Sequence, residues 1–295
     1  MNDKRPNLKS YLSLFGGLFF IGFAAIIVKL STAPGIVTAF YRMTIASLIL
    51  IWPFLYSLVI LQSTLRFRGV VFAFLAGMCF GMDMSTWSTG VVMSNATIPT
   101  LMANLAPIWV GFGSMILFKE KHKQVFWFGL SLAIAGVIIV LGKDIYSSTA
   151  QMYGTLLGII AGFFYGAFYL LSQPGRKILN TLSYLFISTL GSIFVLTIFI
   201  FLFNYKLTGY DMNTWILFFA IGIGVQVFGW MMVNFAQGYL PASIVSATLL
   251  GQPVLTAMFA IVLLKEKLTL WHIGGGLIVI AGIYLVHNSK AAKRQ

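Results

Sequence analysis

Two charged side chains, those of Arg42 and Asp83, stand inside long apolar stretches of the sequence. If each stretch is a membrane-spanning helix with a rise of ~1.5 Å per residue, both side chains lie roughly 9–10 Å below the same face of a ~30 Å hydrocarbon core. The amide of Asn104 falls at this depth as well. An unpaired charge there costs at least about 2–3 kcal/mol, so each charge needs a partner or water. Two interpretations follow: a permanent Arg42–Asp83 ion pair, or an Asp83 carboxyl that binds a proton or a cationic solute in a cavity.

Aromatic and amide side chains recur near these charges at helical spacing. Trp87 follows Asp83 by four residues, on the same helix face, where an indole beside a carboxylate can hold an organic cation. Each such residue is also compatible with simple packing or, for Trp87, with a place at the membrane interface. Together they suit an amphiphilic, aromatic or amino-acid-like solute. The predicted substrate-binding or coupling residues are Arg42, Asp83, Trp87, Asn104, Tyr165, Tyr169, Gln226, Trp230 and Gln252.

Other kinds of chemistry have few candidate residues. The chain has one cysteine, Cys79, and three histidines near segment ends, so we expect neither a metal site nor a cofactor. No nucleophile–base pair is recognisable, and we expect that the protein is not an enzyme. The net charge of +13 is divided among short basic clusters between apolar runs, which is typical of membrane proteins rather than of nucleic-acid binding. The expected partners are a small-molecule solute and membrane lipid, with no nucleic acid.

Long apolar stretches must position these residues. Hydrophobic residues make up 59% and charged residues 8% of the 295-residue chain, which excludes an ordinary soluble domain. A membrane-spanning helix needs about 20 apolar residues, and breaks at charged and turn-forming clusters leave ten such stretches in an all-α membrane protein. The links between them are too short to hold an ATPase domain. The predicted spans are 11–30, 35–61, 69–92, 98–118, 124–142, 153–173, 182–204, 214–237, 243–264 and 271–287.

The sequence repeats itself at an offset of 146 residues. Asn104-Leu-Ala-Pro107 matches Leu250-Gly-Gln-Pro253, and in both copies a Lys-Glu-Lys triplet follows, with its glutamate 13 residues after the proline. We therefore predict two five-helix copies, at residues 1–146 and 147–295. Because five is odd, the second copy enters the membrane inverted. Inverted repeats are common in secondary transporters, which bind their solute between the two halves.

Prolines and glycines within the spans predict bends and close packing. Pro107 and Pro253 occupy equivalent positions of the two copies, nine or ten residues into a span, where a proline removes a hydrogen bond and bends a helix. We expect a helix bend at both, either static or beside a cavity where the helices pivot. Four glycines of the sixth span, spaced four residues apart, form a stripe along one helix face: Gly154, Gly158, Gly162 and Gly166. Such a glycine stripe favours close packing within the chain or, as the alternative, a homodimer interface.

Lysine and arginine residues are distributed unequally between the two predicted membrane faces. With the N-terminus inside, the cytoplasmic face holds 13 of them and the outer face holds five. This excess predicts that both termini are cytoplasmic. The Lys265-Glu266-Lys267 loop falls on the minority face, as expected if it is the inverted copy of Lys119-Glu120-Lys121.

Several of these residues carry a resemblance to a known family. The run from Asn95-Ala-Thr through Asn104-Leu-Ala-Pro107 to Lys119-Glu120-Lys121 is similar to the EamA type of the drug/metabolite transporter superfamily. Its second copy, from Gly251-Gln-Pro253 to Lys265-Glu266-Lys267, is similar too, as are Phe40-Tyr-Arg42-Met and Asp83 with Trp87. The resemblance covers nearly the whole chain. It implies a ten-helix permease of the bacterial inner membrane, with a central cavity and alternating access.

The family that the chain resembles exports amino acids and drugs or exchanges metabolites. We therefore expect a secondary active transporter, an exporter of small organic solutes such as amino acids, metabolites or drugs. Coupling to protons stays open, because it is not uniform in that family. A passive facilitator or a metabolite exchanger is the alternative, and a structural membrane protein would have no effect on any solute. The choice between a monomer and a homodimer also stays open.

Overall fold

A computed structural model describes residues 6–93, 99, 102–141, 149–264 and 270–291. The first half contains α1 (Leu8–Gly22), α2 (Ala24–Leu30), α3 (Gly35–Val59), α4 (Phe67–Met93), α5 (Ala106–Phe118) and α6 (Gln124–Leu141). The second half contains α7 (Thr149–Ile178), α8 (Thr181–Leu202), α9 (Met212–Ala220), a π-helix (Ile221–Gly229), α10 (Trp230–Gln237), α11 (Ala242–Thr248), a 3₁₀ turn (Leu249–Gly251), α12 (Gln252–Leu264) and α13 (Leu270–Ala291).

Each of the ten predicted spans corresponds to an apolar helical segment in the described residues. Six of these segments are long and apolar enough to cross a membrane, and four are shorter. Large apolar side chains point outward from them, including Phe67, which is 80% exposed, and Ile116, which is 77% exposed. A surface of this kind is stable in lipid but not in water. The chain is therefore an all-α, multi-pass membrane protein, as the sequence predicts.

The fourth and ninth spans are interrupted next to their prolines. Pro107 is the second residue of α5, and Pro253 is the second residue of α12. The expectation that both prolines lie in helix interiors is wrong in this respect, because a new helix begins one residue before each of them. In the first turn of a helix, the missing proline N–H leaves no hydrogen bond unmade. Turns precede both helices, at Asn104-Leu105 and at Leu249–Gly251.

The eighth span differs from the prediction in its middle. The sequence indicates one continuous helix, whereas the structure contains nine residues of π-helix between α9 and α10. In a π-helix each N–H bonds to the carbonyl five residues earlier, and such segments occur frequently at functional sites. The segment contains Gln226 and ends at the residue before Trp230. It therefore determines how these two predicted site residues are oriented.

Helices α6 and α13, the last helices of the two copies, pack against each other in opposite directions. A Cβ atom on Gly129 would lie 2.9 Å from the carbonyl oxygen of Gly282, and one on Gly136 would lie 2.7 Å from that of Gly275. Gly129 matches Gly275 and Gly136 matches Gly282 at the 146-residue offset, so repeat-equivalent glycines contact each other crosswise. Antiparallel equivalent helices are the geometry of an inverted repeat.

The glycine stripe of α7 packs within the chain. Cβ atoms on Gly158 and Gly162 would collide with the backbone around Pro99 and Met102, and one on Gly166 would lie 2.8 Å from the Cβ of Trp109. This close contact holds α7 against the start of the fourth span and confirms the packing interpretation of the stripe. The alternative interpretation, a homodimer interface at these glycines, is therefore wrong.

Two sequence features fall outside the described residues: Asn95 and the Lys265-Glu266-Lys267 loop. The equivalent triplet of the first copy is described, and Lys119 adopts a left-handed backbone with φ of 52° where α5 ends. The cytoplasmic location of both termini stays a prediction.

Candidate functional site

A cavity of about 140 Å³ lies inside the helix bundle, next to both interrupted spans. Asn104, in the turn before α5, and Gln252, the first residue of α12, both line it. Non-helical backbone at membrane depth is tolerated where it is buried in protein or borders a cavity, and transporters bind solutes at such breaks. The duplicated pattern of the sequence thus contributes one helix break from each half to one cavity.

The structure brings the nine predicted site residues together. Seven of them line the cavity, namely Arg42, Asp83, Trp87, Asn104, Tyr165, Trp230 and Gln252. The remaining two, Gln226 and Tyr169, lie behind it and are each hydrogen-bonded to a lining residue. Their common location is a property of the structure, whereas their roles in binding or coupling stay predictions.

Arg42 connects the two halves. Its side chain is 6% exposed and projects from α3 of the first half, and its Nε donates a 2.9 Å hydrogen bond to Oε1 of Gln226 in the π-helix of the second half. The guanidinium carbon also lies 5.7 Å from the ring centroid of Phe80, which is within the range of a cation–π contact. A buried arginine is thereby stabilised by one amide and one aromatic face.

Asp83 borders the same cavity from α4 and is 8% exposed. In the part of the chain that the structure describes, no group donates a hydrogen bond to its carboxyl group, and no salt bridge joins it to Arg42. The interpretation of a permanent Arg42–Asp83 ion pair is therefore wrong for this conformation. The Nε of Arg42 instead donates to Gln226 of the opposite half. The carboxyl group faces the cavity instead, where a solute or water can satisfy it.

Aromatic side chains form the inner wall of the cavity. Phe80 packs against Trp230 with ring centroids 4.7 Å apart, and Tyr165 lies 6.1 Å from Phe80 and 6.3 Å from Trp230. The hydroxyl of Tyr169 donates a 2.7 Å hydrogen bond to the hydroxyl of Tyr165. Tyr169 is fully buried, so it supports Tyr165 from behind and does not touch the cavity. The cavity thus offers ring faces beside two charged groups.

Comparison with known proteins agrees with this architecture. The model of the EamA-like transporter family matches the chain twice, at residues 8–142 and 152–287. The chain belongs to this family. Transporters of the family act on small-molecule solutes in a membrane and are generally not enzymes.

Two relatives of this EamA-like transporter come from Archaeoglobus fulgidus, and both are named "Uncharacterized transporter". One is 25% identical over 200 residues, which cover 65% of this chain and 67% of the relative. The other is 27% identical over 205 residues, which cover 67% of this chain and 70% of the relative. A protein of known crystal structure superposes with a TM-score of 0.83 at 14% identity, covering 98% of this chain and 100% of its own. At this identity the last match shows the fold alone.

Part of the cavity wall of this EamA-like transporter was not predicted from its sequence. Small apolar side chains line one side, including Ala24 and Ala25 of α2, Ala39 of α3 and Ala103. Alanine is common in any apolar helix, so it carries no signal of its own. The one local sequence feature that could have indicated this wall is the Ala24-Ala25 pair, which directly follows the break between α1 and α2 at Phe23. These small residues leave the space that the charged and aromatic groups surround.

Proposed function

We propose that the chain is a secondary active transporter that exports small organic solutes, such as amino acids, metabolites or drugs, by alternating access. One observation carries this proposal: Arg42 and Asp83 border the same cavity, and among the described residues no direct ion pair joins them. Charged residues at membrane depth are expensive and usually mark the path of a solute or an ion. A purely structural membrane protein gains nothing from an acid that faces a cavity.

The lining indicates which chemical groups a solute carries. The carboxyl group of Asp83 suits an ammonium or another hydrogen-bond donor, and the remaining N–H groups of Arg42 suit an acceptor. The ring faces of Trp87 and Trp230 suit an aromatic or aliphatic body. The volume of about 140 Å³ lies below the ~300–1,000 Å³ of typical drug sites. This conformation therefore favours compact solutes.

The asymmetry between the two ends of the bundle supports alternating access. The cavity extends toward Gly35, the first residue of α3. The opposite end is closed: near the far end of α3, the hydroxyl of Ser57 lies 3.4 Å from that of Ser183. Rocking of one half against the other would close the first end and open the second, as in other inverted-repeat transporters.

A proteoliposome screen tests the proposal. A panel of radiolabelled amino acids, nucleosides and organic cations is offered with and without a pH gradient, and we expect at least one solute to accumulate with the gradient. Exchange that ignores the gradient would refute proton coupling and favour the facilitator or exchanger. Absence of any movement across the panel would refute transport itself.

Coupling at Asp83 is tested by the variant Asp83→Asn, with Asp211→Asn as the matched control. Asp211 is an exposed acid at the N-terminus of α9, away from the cavity lining. We expect Asp83→Asn to abolish the dependence of transport on the pH gradient and Asp211→Asn to preserve it. Unchanged transport and pH dependence in Asp83→Asn would reduce Asp83 to a structural role.

The location in an inner membrane, with both termini cytoplasmic, also belongs to the proposal. Lys121, which is exposed, and Lys267 occupy equivalent positions of the two copies at the 146-residue offset. In a cysteine-free background, Lys121→Cys should react with an impermeant thiol reagent from the cytoplasmic side and Lys267→Cys from the outer side. Labelling of both from one side would contradict the proposed topology.

A further inference from the structure

One face of α10 carries buried polar atoms that have no hydrogen-bond partner. They are Nε1 of Trp230, Oδ1 of Asn234, and both Oε1 and Nε2 of Gln237. Among the described residues only one other buried side-chain atom, Oγ1 of Thr44, is in this position. The three residues are spaced by four and three, so their side chains lie on one side of the helix. We call this row the α10 stripe.

The α10 stripe is difficult to explain by packing alone. Its members are 2%, 1% and 3% exposed in chain order. Buried polar groups in folded proteins are almost always hydrogen-bonded, because a buried group without a partner has lost its hydrogen bonds to water and gained none in exchange. The amide nitrogen of Asn234 does bond to the carbonyl oxygen of Trp230, at 2.8 Å, which leaves Oδ1 unused. Four such atoms in a row indicate partners that are absent from this conformation.

The stripe runs from the cavity toward the closed end of the bundle. Trp230 lines the cavity, and Gln237 lies seven residues further along, which is about 10 Å at a rise of ~1.5 Å per residue. The neighbour of Gln237, Gly238, is close to the guanidinium of Arg176 in the last turns of α7. Nε of Arg176 in turn donates a 2.6 Å hydrogen bond to the backbone oxygen of Asn234. The far end of the stripe is thus sealed by α7.

One contact within the second half and one between the two halves complete this seal. Oε1 of Gln173 in α7 accepts a 2.6 Å hydrogen bond from the backbone N–H of Ala242, the first residue of α11. Oε2 of Glu120, in the loop after α5, accepts a 3.2 Å bond from the hydroxyl of Ser243. The Glu120–Ser243 bond joins the two halves and would break if they separated at this end. The stripe would then face the widening gap.

We infer that Trp230, Asn234 and Gln237 line the second part of the solute path, which is sealed in this conformation and wet when the Glu120 end opens. The inference rests on the proposed transport function. The groups along the path define the chemistry that they accept: a donor at Trp230, an acceptor at Asn234, and both at Gln237. A solute that carries a hydroxyl or amide group, which both donates and accepts hydrogen bonds, satisfies them in sequence, and water does so between solutes.

Thiol accessibility tests the inference directly. In a Cys79→Ser background, Gln237→Cys is compared with Ala236→Cys, its fully buried neighbour on another face of α10. An impermeant maleimide is added to right-side-out and to inside-out membrane vesicles, with Ala25→Cys as the reporter of the cavity. We expect Ala25→Cys to react from one side, and Gln237→Cys to react from the other side at least ~10-fold faster than Ala236→Cys.

The outcomes are distinct. Labelling of Gln237→Cys at no more than the rate of Ala236→Cys, while Ala25→Cys reacts, overturns the inference and leaves the transport proposal intact. Labelling of Gln237→Cys and Ala25→Cys from the same side overturns alternating access and the inference together. Failure of the whole solute panel in proteoliposomes removes the transport proposal on separate grounds.

A second variant, Gln237→Met, tests the inference without relying on correct folding of Gln237→Cys. It removes two unpaired polar atoms at nearly constant volume, so the sealed conformation gains stability. We expect its Tm to rise by about 2–4 °C. Ala25→Cys in the same background should react several-fold faster, because more molecules face the cavity side. A higher Tm without faster labelling of Ala25→Cys would identify the stripe as merely structural and overturn the inference.

Discussion

The hydrogen bond between Arg42 and Gln226 links the first half to the second, and the variant Gln226→Met tests its strength. Both side chains are buried, at 6% and 3% exposure, and the bond from Nε to Oε1 is 2.9 Å long. Methionine preserves the volume of glutamine but cannot accept this bond, so a charged donor is left unpaired. Hydrogen bonds to charged groups contribute about 1.5–3 kcal/mol, and a loss of this size corresponds to a Tm decrease of about 3–10 °C.

The assay is thermal unfolding of the purified protein in detergent, arranged as a double-mutant cycle with Arg42→Met. The loss in the double variant should be smaller than the sum of the two single losses, because each single variant already removes the shared bond. Gln226→Glu is the matched control: it keeps an acceptor at the same position and should unfold at or above the parent Tm. Equal Tm values for Gln226→Met and the parent, or strictly additive losses, would refute this account of the contact.

Two further predictions concern packing and acid stability. Gly282→Ala should lower the free energy of unfolding by about 1–3 kcal/mol, because its Cβ would collide with the backbone nitrogen of Ala133. Gly274→Ala is the control and should not destabilise the protein, because a Cβ there would have no atom within 4 Å. Equal Tm values would contradict the α6–α13 contact. Hydrogen bonding from Thr214 lowers the pKa of the Asp211 carboxyl, so its stabilisation is present at neutral pH and lost as the pH falls below about 4. Asp211→Asn should therefore lose less Tm than the parent between pH 7 and pH 3, and equal losses would contradict this contribution.

The fold was predictable because two strong signals agree. Apolar stretches of membrane-spanning length are among the clearest patterns in any sequence, and the 146-residue repeat fixes how they are grouped. What could not be predicted is local backbone geometry. The π-helix between α9 and α10 and the helix starts one residue before Pro107 and Pro253 depend on packing against other helices, which a single sequence does not contain.

The candidate site was predictable for the same physical reason that makes it costly. Charges such as Arg42 and Asp83 are rare in apolar stretches, so their depth alone identifies them. The hydrogen-bond partner of Arg42 was not predictable: similar depth left open whether Arg42 and Asp83 pair with each other, whereas Arg42 bonds to Gln226 in the structure. The sequence gives the depth of a side chain in the membrane. Which groups meet also depends on the direction in which the side chain leaves its helix and on how the other half packs against that helix.

The scaffold is symmetric, but the charges within it are not. At offsets of 144 to 146 residues, the counterparts of Arg42 are Phe186, Ile187 and Ser188, and those of Asp83 run from Val227 to Gly229. Both charges thus belong to the first half, while the unpaired α10 stripe belongs to the second. If the two halves exchange conformations during transport, the resulting states differ in which polar groups are paired, so they cannot be equal in free energy. The chain therefore favours one of the two conformations in the absence of solute. A bound solute or proton must supply the difference in free energy between them.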